Sequence, residues 1–173
     1  MDSPITFASR VQTSSPLDGL TIYSLQTDVE NVVAFCGSLL GGSLFASGNI
    51  LVTELTASLL DLVTKQRDKF EIATALESVG AKLGFSSGRY RVHFSGKCLK
   101  KDVPLVIELL AEQLIFPAFH EEDLNSTVKR RKAELKKLKE DTRTRAVEAF
   151  LLRLYPCLLY TSAAADERSS VDL

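Results

Sequence analysis

Few side chains of this sequence combine reactive chemistry with the spacing that a catalytic or metal site requires. His93 and His120 lie far apart on different predicted elements, and neither has a second histidine or a cysteine at metal-ligand spacing. We interpret His93 as an exposed strand residue and His120 as a residue at the start of a helix. The cysteines Cys36, Cys98 and Cys157 follow no ligand pattern, so we expect reduced thiols, with Cys36 as a small core residue.

A predicted helix places Glu54 and Ser58 one turn apart, where they could share a face. A catalytic zinc typically takes three protein ligands and keeps an open position for water. Glu54 could supply one ligand, but a serine hydroxyl is a poor neutral ligand and Ala57 has no group that could act as a base. We therefore interpret Glu54 as a solvated or helix-paired carboxylate.

A basic segment suggests a different chemistry, because such a run could follow nucleic-acid phosphates or lie on an anionic surface. Its cations are Lys129, Arg130, Arg131, Lys132, Lys136, Lys137, Lys139, Arg143 and Arg145. No aromatic residues are interleaved for base stacking, and the formal net charge of the chain is -1. We favour a solvated helix face. A basic-helix module that binds nucleic acid or an anionic surface remains the alternative.

Alternating apolar residues predict the strands of the fold. A first strand begins at Leu20, after the Asp18-Gly19 turn, and the apolar run at 31–40 predicts a second, buried strand. A β-hairpin follows around Ser86-Ser87-Gly88, with one buried and one wet face. The apolar positions before and after that turn are Leu83, Phe85, Tyr90, Val92 and Phe94, and the wet ones are Arg89, Arg91 and His93.

Helical spacing of apolar residues predicts the remaining elements. The first helix has a stripe of leucines facing a core: Leu51, Leu55, Leu59 and Leu62. Asp68 and Glu71 form a box-like start to the second helix, whose apolar side is Phe70, Ala73, Leu76 and Val79 and which ends at Gly80. Further helices are predicted at 102–115, 121–141 and 144–154. This order predicts an α+β fold, with a largely antiparallel sheet and helices packed on one face.

The helix pair resembles the zinc-binding region of the pitrilysin/insulinase family of metallopeptidases, the inverzincins. The similar segments are NILVTELTASLLDLVTKQRD (Asn49–Asp68) and FEIATALESVGAKL (Phe70–Leu83), followed by PLVIELLAEQLIFPAFHEEDL (Pro104–Leu124). In that family a helix carries H-x-x-E-H, in which the histidines bind zinc and the glutamate activates the bound water. A Thr-x-x-Arg-like turn and a Gly-Ala pair follow, here Thr64–Arg67 and Gly80-Ala81. The resemblance covers roughly residues 18–156.

The resemblance implies that the zinc motif has been lost. Its five positions fall on Glu54-Leu55-Thr56-Ala57-Ser58, which hold neither histidine nor a base. The family's third ligand is a glutamate on a later helix, and Glu134 stands at that spacing as the single surviving ligand position. We expect no bound cofactor here, although the family uses zinc. An active zinc metalloendopeptidase with unusual ligands is a further alternative.

The family pairs active and degenerate domains that close around an unfolded peptide. The resemblance therefore implies a non-catalytic domain or subunit of a zinc peptidase, which helps to form the peptide-binding chamber. Its partners would be a catalytic peptidase subunit or the second half of the same chain, together with an extended peptide. Arg89, Arg91 and His93 are candidate peptide contacts, since strands can pair with extended substrate. We expect neither a nucleic acid nor a membrane as partner.

The organisation along the chain suggests an incomplete domain. Residues 1–17 form a loosely ordered lead-in or an edge strand, and residues 18–156 form a peptidase-like domain that is incomplete at its C-terminus. Residues 157–173, CLLYTSAAADERSSVDL, resemble translated sequencing-adapter read-through, so we expect a non-native tail. Neither a secretory signal nor a membrane-length apolar run is visible, which favours a cytoplasmic chain.

Overall fold

The computed structural model describes residues 7–46 and 50–154 of the chain. The non-native tail expected at 157–173, including Cys157, lies outside these residues. None of the helices in the described ranges is long and apolar enough to cross a membrane. The elements in chain order are α1 (Phe7–Arg10), β1 (Gln12–Leu17), β2 (Leu20–Ser24), β3 (Val32–Leu40), α2 (Ile50–Leu60), α3 (Lys69–Ser78), β4 (Lys82–Ser87), β5 (Arg91–Leu99), α4 (Val103–Ile115), α5 (Glu121–Glu140) and α6 (Thr142–Leu154).

The strands form two antiparallel sheets, in agreement with the predicted α+β fold. β1 and β2 form a two-stranded ribbon, and β3, β5 and β4 form a three-stranded sheet in that order. β5 is therefore the central strand. Helices α2 and α3 contact β4, and α4 contacts β5, so the helices cover the sheet as expected. The core between them contains Leu59 and Leu60 of α2 and Val106, Leu109 and Leu110 of α4.

Two phenylalanine rings lie over glycines of neighbouring strands. Phe35 of β3 lies beside Gly96 of β5, and Phe94 of β5 lies beside Gly37 of β3. A Cβ atom added at Gly96 would stand 2.2 Å from the Phe35 ring, and one added at Gly37 would stand 2.1 Å from the Phe94 ring. Only glycine leaves room for these rings, so the two pairs fix how β3 packs on β5.

The turn after α2 is tied to α4 by side chains. Thr64 Oγ1 accepts hydrogen bonds from the backbone N–H groups of Gln66 and Arg67, and the Thr64 hydroxyl donates to Glu112 Oε1. Arg67 Nη1 donates to Glu112 Oε2 at 2.6 Å, and Arg67 Nη2 donates to Glu108 Oε1 at 2.9 Å. The Thr-x-x-Arg-like turn thus closes on itself and binds a carboxylate that is only 5% exposed.

Both predicted ends of the second helix are confirmed. The Asp68 carboxylate accepts from the N–H groups of Phe70 and Glu71, and the Glu71 carboxylate accepts from the Asp68 N–H, which makes a capping box. Gly80 ends the helix with φ of 62°, a left-handed conformation that favours glycine. Local signals placed this helix correctly along the chain.

The predicted apolar side of α3 is wrong at its start. Phe70 is 71% exposed and Ala73 is also exposed, whereas Ile72 is 2% exposed. Leu76 and Val79 are half-buried, as a core-facing side requires. The helix is rotated so that Ile72 points inward, because α3 packs against β4 on that side.

Three further expectations about burial are also wrong. β3 is not a buried strand: its residues are exposed or half-buried, because the helices pack mainly on β4 and β5. Cys36 lies on its open face and is exposed, and the buried thiol is Cys98. In the leucine stripe of α2 Leu59 is buried, but Leu51 is 37% exposed and Leu62 follows the end of the helix.

Candidate functional site

The positions that the resemblance assigned to zinc lie around one cavity. The cavity has a volume of about 620 Å³ and is bounded by α2, α5 and the last residues of β4. Glu54, Ala57 and Ser58 line it from α2, and Glu134 lines it from α5. Residues that are distant in the sequence therefore lie around the same cavity.

An arginine occupies the space between the two carboxylates. Arg131 Nη2 donates to Glu54 Oε2 at 2.6 Å across the two helices, and Arg131 Nη1 donates to Glu134 Oε2 at 3.2 Å along α5. The hydrogen bond to Glu54, followed by the one to Glu134, raises the pKa of Arg131 above its ordinary value. The guanidinium is therefore a permanent cation that both carboxylates share.

The residues around this cavity do not fit a catalytic zinc. Both carboxylates are engaged by Arg131, Ser58 offers a neutral hydroxyl, and Ala57 stands where the family has its base. Such a site needs about three deprotonated or neutral nitrogen, sulfur or oxygen ligands and an open water position. In the described parts of the chain, no cluster of three or more histidine, cysteine or acidic residues could hold a metal ion elsewhere.

The candidate peptide contacts lie away from the cavity lining. Arg91 and His93 are exposed on the outer face of β5, and Arg89 is exposed in the turn before it. Arg91 Nη1 donates to Ser38 Oγ at 3.1 Å. β5 has no free edge for a substrate strand, because it is hydrogen-bonded to β3 on one side and to β4 on the other. Only their side chains remain free to contact a peptide.

The structure does not bring the histidines together. His93 is exposed on β5, and His120 is the residue before α5, beside a second cavity lined by Lys69 and Phe70 of α3. The basic segment runs along exposed positions of α5 and the start of α6. Arg130, Arg131 and Lys132 line the main cavity, and of these three Arg131 alone is half-buried.

Sequence reasoning missed Arg131 as a member of the site. It was counted with the solvated cations of the basic segment, although it precedes Glu134 by one turn of α5. Residues three apart on a helix share a face. This spacing was the signal that could have placed Arg131 beside Glu134, whereas its contact with Glu54 depends on how the two helices pack.

Comparisons with known proteins agree with the fold described above. Residues 41–157 match the model of the family described as Insulinase (Peptidase family M16). Among solved structures, the fold is similar to a crystal structure of a peptidase M16 inactive domain from Pseudomonas fluorescens, with a TM-score of 0.70 and 21% sequence identity. The match covers 83% of this chain and 35% of that chain, so this chain spans about a third of its length. The chain belongs to the insulinase family, peptidase family M16.

Proposed function

We propose that this chain is a non-catalytic domain of an insulinase-type peptidase. It helps an active partner to enclose an extended peptide, and that partner is a separate catalytic subunit or the second half of the same polypeptide. One observation carries the proposal: α2 and α5 enclose a cavity at the motif positions, but Arg131 holds its two carboxylates. The scaffold of a peptidase site is present without a donor set that fits its metal.

The edge of the sheet next to the cavity supports peptide binding. Within the described residues β4 pairs only with β5, and its last residues, Phe85–Ser87, line the cavity; the Phe85 N–H already donates to Asp61, so Ser86 and Ser87 offer the open part of this edge. An extended peptide can add to a free strand edge through main-chain hydrogen bonds, with side chains entering adjacent pockets. We place the peptide along β4, with Arg91 and His93 as side-chain contacts for residues that cross the outer face.

Reconstitution with the catalytic partner tests this proposal. The partner is found by reading the source gene and its neighbours for a half that carries H-x-x-E-H, and the two are produced together. We expect the pair to co-elute from a sizing column and to hydrolyse a long, internally quenched fluorescent peptide. We expect neither component to do so alone. Hydrolysis by this chain by itself, or full activity of the partner without it, would contradict the proposal.

The reconstituted pair also tests the peptide contacts. Arg91→Ala and His93→Ala should each raise KM about two- to tenfold, as the loss of one polar contact of roughly 0.5–1.5 kcal/mol predicts. Lys97→Ala is the matched control, because Lys97 is exposed on the same face of β5 near its other end. If all three variants have the KM of the unaltered pair, the outer face of β5 makes no contact with peptide.

A further inference from the structure

Arg131 forms ion pairs with carboxylates of two different helices. One planar guanidinium donates through Nη2 to Glu54 on α2 and through Nη1 to Glu134 on α5. A rigid fork with two separate donors suits such a bridge, whereas an ammonium group would act as a single point charge. Arg131 therefore links two helices that otherwise meet across an open cavity.

The two carboxylates would be close together without this cation. Each lies within hydrogen-bonding distance of the same guanidinium, and their side chains are 34% and 49% exposed, so water screens them only in part. Two carboxylates that contact one guanidinium repel each other and need a compensating cation. A divalent ion bound by oxygen ligands would serve as well as an arginine.

We infer that Arg131 is a built-in cation that has taken the place of a metal ion: it fastens α2 to α5 and excludes divalent cations from the Glu54–Glu134 pair. The inference concerns this chain alone and does not depend on an active partner. It predicts that the site is latent. Removal of the guanidinium should both loosen the helix contact and leave a two-carboxylate site, with the Ser58 hydroxyl nearby, that accepts a hard divalent ion.

The experiment compares Arg131→Ala with Lys129→Ala in the full chain. Lys129 lies two residues before Arg131 on the same helix, is exposed and does not line the cavity, so it controls for the loss of a cation from α5. Thermal unfolding is followed by circular dichroism with and without Mn²⁺, and Mn²⁺ binding is measured separately by electron paramagnetic resonance. Unaltered protein and Lys129→Ala should unfold at about the same temperature and should not respond to Mn²⁺.

For Arg131→Ala we expect Tm to fall by about 2–4 °C, which is the shift that a modest loss of stability gives for a chain of this size. Mn²⁺ should bind to this variant at least tenfold more tightly than to the unaltered protein and should restore part of the lost Tm. Adding Glu54→Gln to Arg131→Ala should abolish the Mn²⁺ response, because a neutral carboxamide then replaces one of the two carboxylates.

Two results would overturn the inference. One is an Arg131→Ala variant that unfolds at the same temperature as Lys129→Ala. The other is equal Mn²⁺ affinity in the unaltered protein and in Arg131→Ala. If Arg131→Ala does not fold, Arg131→Lys replaces it in the same comparison: it keeps the charge but cannot bridge two carboxylates in a plane, so its Tm should fall while Mn²⁺ remains excluded. An unchanged Tm for Arg131→Lys would then refute the bridging role.

Discussion

Replacement of Arg67 by methionine should destabilise this domain more than the loss of any surface charge. Arg67 Nη1 lies 2.6 Å from Glu112 Oε2, and Glu112 is 5% exposed. Methionine keeps most of the length of the side chain but leaves the Glu112 carboxylate without its cation. Removal of one partner from a fully buried ion pair costs about 3–5 kcal/mol, because the remaining charge is desolvated and uncompensated.

The expected cost must be reduced because the Arg67 side chain is 30% exposed and water can reach the vacated position. The hydroxyl of Thr64 also continues to donate to Glu112 Oε1. We therefore expect a loss of about 2–3 kcal/mol in the free energy of unfolding, measured by urea denaturation with circular dichroism. Glu108→Gln removes the other pair of Arg67, with a 63% exposed carboxylate, and should cost less than about 1 kcal/mol.

A double-mutant cycle decides whether the buried pair is responsible. In Arg67→Met/Glu112→Gln a neutral carboxamide replaces the buried carboxylate. Loss of the guanidinium should therefore cost less in this background than in the protein that keeps Glu112. We expect the double variant to be more stable than the sum of the single losses predicts, by at least about 1 kcal/mol. Additive losses, or an Arg67→Met cost no larger than that of Glu108→Gln, would refute the reasoning.

Three further predictions concern single positions. Burial raises the pKa of Asp61 from 3.8 to about 6, despite a hydrogen bond from the Phe85 N–H. The contribution of the protonated Asp61 side chain to stability is therefore full below pH 4 and is lost as pH rises through 6. Asp61→Asn should flatten the pH dependence of the unfolding free energy between pH 4 and 6. At pH 7 it should raise the unfolding free energy by about 1–2 kcal/mol, after allowance for the partial solvent exposure of the side chain. Asp68→Ala removes the side chain that caps α3 and should lower the unfolding free energy by about 1 kcal/mol in the same assay; no loss would mean that the cap is replaced by water. Gly96→Ala should lower Tm through a cost of about 1–3 kcal/mol, because its methyl group would meet the Phe35 ring; an unchanged Tm would show that the ring can move aside.

The features that the sequence predicted correctly depend on nearby residues. The capping box joins Asp68 to Glu71, and the left-handed Gly80 needs only its own lack of a side chain. The alternation along β5 likewise follows from the pleat of a strand, with Val92 and Phe94 half-buried between exposed Arg91 and His93. Such signals are complete within a few residues, so no knowledge of the tertiary structure is needed to interpret them. The predicted turn is misplaced, since Ser86 and Ser87 belong to β4, and Tyr90 is 58% exposed.

The features that it missed depend on which elements become neighbours. The side of α3 that is buried is set by β4, so Ile72 and not Phe70 points inward. The exposure of Cys36 follows from where the helices pack, which is mainly on β4 and β5 and not on β3. The bridge from Arg131 to Glu54 crosses between α2 and α5, and nothing in either helix alone indicates that the two side chains meet.

The Thr64–Arg67 turn and the positions around the cavity differ in whether a buried charge depends on them. The Thr64–Arg67 turn still holds the buried Glu112 carboxylate, because loss of any member would leave a desolvated charge or donor inside the fold. Among the motif positions that line the cavity, Glu54 and Ser58 are half-buried, whereas Ala57 is 2% exposed and belongs to the core, so neither the serine nor the alanine leaves a desolvated charge there. Only the facing carboxylates needed compensation, and a cation on the neighbouring helix supplies it. The fold of the family is therefore kept here around a cavity whose donors do not fit zinc, because the motif positions hold an alanine, a serine and a carboxylate that Arg131 compensates.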